Sequence, residues 1–294
     1  MKTEIPEQLK ADVPHTTWGK ILMATPVVMA VIATMLAGLA SSEMTRAQYD
    51  RSLAAQQQSK AGDQWSFFQA KRLRGSMQRS TLDVLQSISI VRPLQTEAIG
   101  KTTSEVQDAL FKGVIPALPA APALDENVKS ALEALESGKP EPEILAALAK
   151  VTDETLASAL RAARDRAAAF DDLLKPLNQA IEQIEKEQVG SEADAVRSLT
   201  AARLRYNAAR YDAEARLNQA VASYYELQVR KSNTSAERHH NRSGRFFFGM
   251  LAAQAAVIIS TFSLAARQRS MLWSLAAVAG LAAVAFAIYV YLFV

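Results

Sequence analysis

The chain has 294 residues, 49% of them hydrophobic, with 11 Gly, 10 Pro, no Cys and a formal net charge of +3. The absence of cysteine excludes disulfides, thiolate metal sites and cysteine nucleophiles, and so mild a charge argues against a nucleic-acid surface, which concentrates Lys and Arg around base-stacking aromatics. Much of the apolar count is Ala, which with Leu, Glu, Arg, Lys and Gln loses little on entering a helix, so an all-α protein is expected.

Residues 1–20 form a polar tail. The next twenty carry no charge over about the 20 residues that a bilayer requires, and a first transmembrane helix is expected over 21–41. A cleaved signal peptide is the competing reading. The length of the apolar run, the lack of a basic opening segment and the polar tail weigh against it.

Residues 42–245 make one large helical insert between the first span and the second. Its first helix, 43–90, should run on from the span, with Ala61, Trp65 and Phe68 three and four apart on one face, and should end at Arg92-Pro93. Within it, AGDQWSFFQAKRLR (residues 61–74) gathers an acid, amides, aromatics and cations. Asp63, Gln64, Trp65, Phe68 and Gln69 lie roughly 35–40 Å past the span at about 1.5 Å per residue, too far for an interfacial aromatic belt. Trp65 and Phe68 are large knobs for an Ala-rich bundle, and Lys71, Arg72 and Arg74 can pair with acids of a neighbour. The stretch is therefore read as the packing lock of the first helix, in preference to a ligand site.

The segment 113–142 holds five of the prolines, and its Pro/Ala part, about 113–124, is an extended linker. A short helix over roughly 125–137 should stop at Gly138, and Pro142 should open the next, where a missing N–H is harmless. From about 143 to 189 one helix is expected, kinked at Pro176. VGSEAD (189–194) breaks it: Gly190 stops one helix and Ser191 caps the next. That last helix meets no breaker before Gly244. Leu199, Ala202, Tyr206, Ala209 and Ala213 form a stripe that shifts to Leu217, Val221 and Tyr224 near Arg216, a coiled-coil-like seam in which Tyr206 and Tyr224 serve packing.

A second span, 246–266, contains one amide, Gln254; a basic turn, 267–270, leads to a third span, 271–294. Gly249/Ala253 and Ala276/Gly280 have the spacing that lets helix backbones approach closely in lipid. The turn carries Arg267 and Arg269, which favour the cytoplasm and so a periplasmic insert. Arg238, Arg242 and Arg245, crowded before span two, argue the reverse; the reading leans to the shorter loop.

The helix leaving span one and the helix approaching span two should form an antiparallel stalk. Alanine-rich seams bury little apolar area, so several subunits are expected to share the core. Chemistry is sparse. His239 and His240 read as a solvated juxtamembrane pair, no phosphate loop or nucleophile elbow occurs, and no cofactor or metal is expected. The spans hold no ionisable group, which argues against a transporter built from one subunit. A pore between subunits, lined by Ser, Thr and Gln254, stays open as a reading. Arg203, Arg205, Arg210 and Arg216 are interspersed with acids and read as interhelical pairing.

Asp63, Gln64, Trp65, Phe67, Phe68, Gln69, Ala70 and Lys71 resemble the signature of an uncharacterised bacterial membrane-protein family, domain of unknown function 4337. The Arg/His-rich approach AERHHNRSGRFFFG and the closing hairpin with ARQRSMLW are similar too. The resemblance implies the topology and a bacterial source, and brings no activity with it. The expected protein is a non-enzymatic, homo-oligomeric scaffold of the bacterial cytoplasmic membrane, in contact with the lipid bilayer and with no nucleic acid. The alternative is a sensor or accessory subunit that binds a ligand, or an unidentified protein partner, through residues 42–245.

Overall fold

The computed structural model describes residues 17–100, 102–188, 192–265 and 269–293, and every regular element among them is helical. The first helix, α1, runs unbroken from Thr17 to Ile88. A 3₁₀ turn at Thr96–Ile99 and a short helix α2 at Ser104–Gln107 follow. α2 widens into a π turn over Asp108–Lys112 that ends at Gly113, whose φ of +67° suits a residue without a side chain. A Cβ there would come within 2.8 Å of the Arg205 side chain.

Residues 113–125 carry no regular structure, as the linker reading expected. Asp125 then caps α3 (Glu126–Glu136), its carboxylate accepting the Asn127 and Val128 amides at 2.9 and 3.3 Å. Gly138, at φ +65°, separates it from α4 (Glu141–Leu148), which has Pro142 in its first turn. The helix expected to be continuous from 143 is broken: α4 ends at Leu148 and α5 begins at Asp153. The cause is Thr152. Its hydroxyl accepts the Thr155 amide at 3.1 Å, and Asp153 and Glu154 sit in the electropositive first turn. α5 continues to Glu187 through Pro176. The expected stop at Gly190 and cap at Ser191 lie outside the described residues; α6 runs from Ala193 to Ala265 and α7 from Arg269 to Phe293.

The chain divides into two compact units, Leu53–Lys231 and Met1–Ser52 with Ser232–Val294. In the first, α6 lies between α1 and α5 and shows each a different face. Toward α5 it turns bulky residues: Phe170 and Leu174 pack with Ala213 and Leu217, while Leu177, Ile181 and Ile184 pack with Leu199, Ala202 and Tyr206. Each buried Leu, Ile or Phe among them contributes roughly 2 kcal/mol of transfer free energy, the alanines much less. The seam residues Leu199, Ala202, Tyr206, Ala213 and Leu217 lie on this face, and Ala209 is only half-buried; Val221 and Tyr224 belong to a separate cluster that also takes in Ala61 of α1.

Toward α1 the residues are small and recur every seventh position. Ala201, Ala208, Ala215, Ala222 and Val229 of α6 are buried, and so are Ala54, Ala61 and Gly75 of α1. Gly75 shows the closeness this allows, since a Cβ built on it would lie 3.5 Å from the Ala208 carbonyl oxygen and 3.4 Å from Tyr211 Cβ. The ion pairs Lys71–Glu214 and Arg79–Asp212 run in opposite order along the two helices, so α1 and α6 are antiparallel here.

In the second unit the seven-residue beat recurs as buried Ala40 and Ala47 on α1 and Ala236 and Ser243 on α6. The Ser243 hydroxyl donates to the Ala40 carbonyl at 2.7 Å. α1, α6 and α7 each contain a stretch long and apolar enough to cross a membrane. The small residues singled out in the sequence are where these stretches touch: Gly249 meets Leu36 and Phe286, the Met29 side chain lies against Gly280, and Ala253 and Ala276 are fully buried. Trp273 donates its indole N–H to the Thr25 hydroxyl at 2.9 Å and meets Trp18 edge to face at 4.7 Å. Ser260 and Ser263 are buried with their hydroxyls turned to carbonyls of their own helix, whereas Gln254 faces outward.

Candidate functional site

The conspicuous stretch of residues 61–74 lies entirely on α1 in the Leu53–Lys231 unit. Its side chains are divided by the helix. Ala61 is buried against Val221, Tyr224 and Leu227; Gln64, Trp65, Phe68 and Lys71 are half-buried; Asp63, Phe67, Gln69, Arg72 and Arg74 are exposed. Trp65 and Phe68 meet edge to face at 5.4 Å. Trp65 forms one wall of an open groove of about 580 Å³, shared with Leu135, Ile144, Ser223 and Arg230.

Lys71 is the member that reaches a charged centre. It pairs with Glu214, which is 7% exposed, and its ammonium lies 5.5 Å from the Tyr211 ring centre. Arg210 stands 3.6 Å from the other Glu214 oxygen and 4.6 Å from the same ring. Arg210 and the Tyr206 hydroxyl both donate to the Asn178 side-chain oxygen, at 2.8 and 3.1 Å. A buried carboxylate persists only when cations and hydrogen bonds replace its water, and α1 and α6 supply them here. Burial pushes the Tyr206 phenol up to about 12, against the pull of the Arg210 charge, and burial likewise raises Tyr224. Desolvation, then the Glu214 charge, raise the Asp171 carboxyl. The arrangement is an ion-paired packing centre joining α1, α5 and α6.

A second feature is an open cleft of about 640 Å³ between α5 and a wall made by residues 99–100, 102–106 and Pro116. Its floor is apolar, with Ile99, Val106, Leu177 and Ile184, and its rim carries Glu105, Gln183 and Glu187. Sequence reasoning missed it because a cleft appears only once irregular segments fold against a helix distant in the chain. Among the described residues, no group of three or more His, Asp or Glu side chains converges as a metal site.

Residues 18–112 match the family described as Domain of unknown function (DUF4337). This bears out the resemblance read from the sequence. No curated protein and no solved structure gave a match. The DUF4337 match takes in nearly all of α1, with Trp65, Phe68 and Lys71, and continues to the end of the π turn, supplying Ile99, Glu105 and Val106 of the cleft. It stops before the linker, so Glu214, Tyr206 and Tyr224 lie beyond it, as do the Arg/His-rich approach and the closing hairpin.

Outside the DUF4337 match, one expectation is corrected. His239 is not solvated: it is half-buried, with Nδ1 bonded to the Glu43 carboxylate and Nε2 4.0 Å from Asp50, which accepts the Ser235 hydroxyl at 2.7 Å. His240 is exposed, as expected. The carboxylates that pair with His239 come from α1, far away in sequence, so no local motif could announce them. Of the topology residues, Arg242 is half-buried, Arg245 is exposed, Arg269 opens α7, and Arg267 lies outside the described residues.

Proposed function

We propose that the protein is a non-enzymatic, multi-pass protein of the bacterial cytoplasmic membrane whose helical insert associates with other copies of itself as a scaffold. One observation carries this reading. Leu73, Met77, Val84 and Ile88 are between 56% and 77% exposed, on the face of α1 opposite the buried Gly75. Their spacing keeps them in one stripe, and they lie outside the apolar stretch of α1, on a helix whose inner face is already occupied. Copies anchored in one membrane through the same spans run parallel, so this stripe can meet its own equivalent about a symmetry axis. The supporting feature is the set of three membrane-length apolar helices among the described residues, which anchors every copy in the same orientation.

The absence of cysteine makes the test direct. Met77→Cys in native membranes is expected to give a disulfide-linked dimer on mild oxidation, while Lys60→Cys is not. A monomer at both positions removes the assembly reading. Lys60→Cys also tests the side: with the insert in the periplasm, a membrane-impermeant maleimide labels it in intact cells.

A second reading, a sensor or accessory subunit that binds a ligand or a protein partner, is favoured by the 640 Å³ cleft.

A further inference from the structure

We infer that the apolar stretch of α6 associates with the same stretch of a second copy of this chain through Gln254, the two side-chain amides bonding to each other within the bilayer. This rests on the membrane and assembly readings and names a contact separate from the α1 stripe. Residues 246–264 of α6 hold four polar side chains, and three of them are satisfied within their own helix. The Ser260 and Thr261 hydroxyls donate to the Val257 carbonyl at 2.9 and 2.8 Å, and the Ser263 hydroxyl donates to the Ser260 carbonyl at 2.6 Å. Gln254 is the exception. It is exposed and makes no hydrogen bond among the described residues.

Depth makes this exposure costly. At about 1.5 Å per residue, Gln254 lies roughly 12 Å along the helix from Phe246 and roughly 15 Å from Leu264. A hydrocarbon core of about 30 Å leaves water beyond the reach of its side chain on either side. Lipid tails neither donate nor accept, so the amide carries its full desolvation cost until another polar group meets it. An amide is its own complement, with one acceptor oxygen and two N–H donors. Copies inserted through the same spans run parallel and hold Gln254 at one depth, so two of them can exchange N–H···O bonds about a two-fold axis. The neighbours fit a helix–helix contact. Phe247, Leu251, Ile258 and Thr261 extend from Gln254 at spacings of four and three, all exposed on the same face. The face that packs within the chain is a different one, where Gly249, Ala253, Ala256 and Ser260 are buried.

The test uses the full chain, which has no native cysteine, in phosphatidylethanolamine/phosphatidylglycerol vesicles. Energy transfer between copies labelled at Lys60→Cys is followed as added lipid dilutes the protein. Gln254→Leu is expected to weaken association roughly three- to thirtyfold, and Gln254→Asn to retain most of it. Oxidation with copper phenanthroline should link Leu251→Cys and Ile258→Cys as dimers and leave Leu281→Cys monomeric, although Leu281 on α7 is 70% exposed. Association unchanged in Gln254→Leu, with Met77→Cys still forming its dimer, overturns the intramembrane contact and leaves the assembly reading standing. Equal linkage at Leu281 and Ile258 marks random collision and overturns the contact too. No energy transfer at any dilution, with no Met77→Cys disulfide, overturns both. Linkage of Ile258→Cys in native membranes to a different chain alone overturns the second copy as the occupant. If Gln254→Leu does not insert, the Ile258 and Leu281 comparison decides, because it leaves Gln254 in place: no Ile258→Cys dimer overturns the inference.

Discussion

Glu214 is the residue on which α1 and α6 agree. Removing its carboxylate in Glu214→Ala leaves Lys71 and Arg210 facing each other without a counter-charge, and is expected to cost about 3–5 kcal/mol in denaturant unfolding. Glu214→Gln, which retains the shape, should cost less. Tyr206 sets the alkaline limit. Its phenol rises from 10.0 to about 12 in the folded state, so the folded protein holds this proton more tightly than the unfolded chain. Stability is therefore complete below about pH 10 and falls as pH rises toward 12, by about 2–3 kcal/mol. Tyr206→Phe should flatten that decline while losing about 1 kcal/mol at neutral pH with the Asn178 bond, as thermal unfolding followed across pH 8–12 would show. The sequence revealed that Lys71 wanted an acid and that Tyr206 wanted burial. It could not say that the acid would be Glu214 of the same chain, because the match depends on helix register and not on local spacing.

The two long helices were legible as elements, and their packing was only half legible. Bulky residues on α6 announced a coiled-coil-like seam, and those from Leu199 to Leu217 are buried in clusters with α5. The second seam was also written in the chain, as Ala54 and Ala61 on one helix and Ala201, Ala208, Ala215 and Ala222 on the other, each every seventh residue. It escaped notice because alanine carries so little apolar weight that its period is drowned by the alanines around it. The physical content of this seam is closeness. Ala208→Leu should force α6 away from Gly75 and cost about 1–3 kcal/mol through overpacking, measurable as a lower Tm, while the same change at the half-buried Ala209 costs less. The break before α5 was equally readable in VTDET, where a threonine cap precedes two acids. A long run of good helix formers on either side hid it.

At the scale of the whole molecule the helical class was the most legible: among the described residues every regular element is helical, and three stretches are long and apolar enough to cross a membrane. What stayed hidden was whatever depends on irregular backbone, chiefly residues 94–100 and 102–112 and the cleft they help to form. Turns and π geometry answer to the surface they rest on, and no periodicity encodes them. The seven-residue seam carries one more consequence. A ladder of small residues looks nearly the same after one helix slides along the other by seven positions, about 10.5 Å at 1.5 Å per residue. Alanine against alanine sets how near the helices come and leaves their alignment nearly degenerate. Alignment must come from features that do not repeat, and in the Leu53–Lys231 unit Lys71 with Glu214, Arg79 with Asp212 and the notch at Gly75 are such features. These few residues act as the index marks on an otherwise unmarked rule.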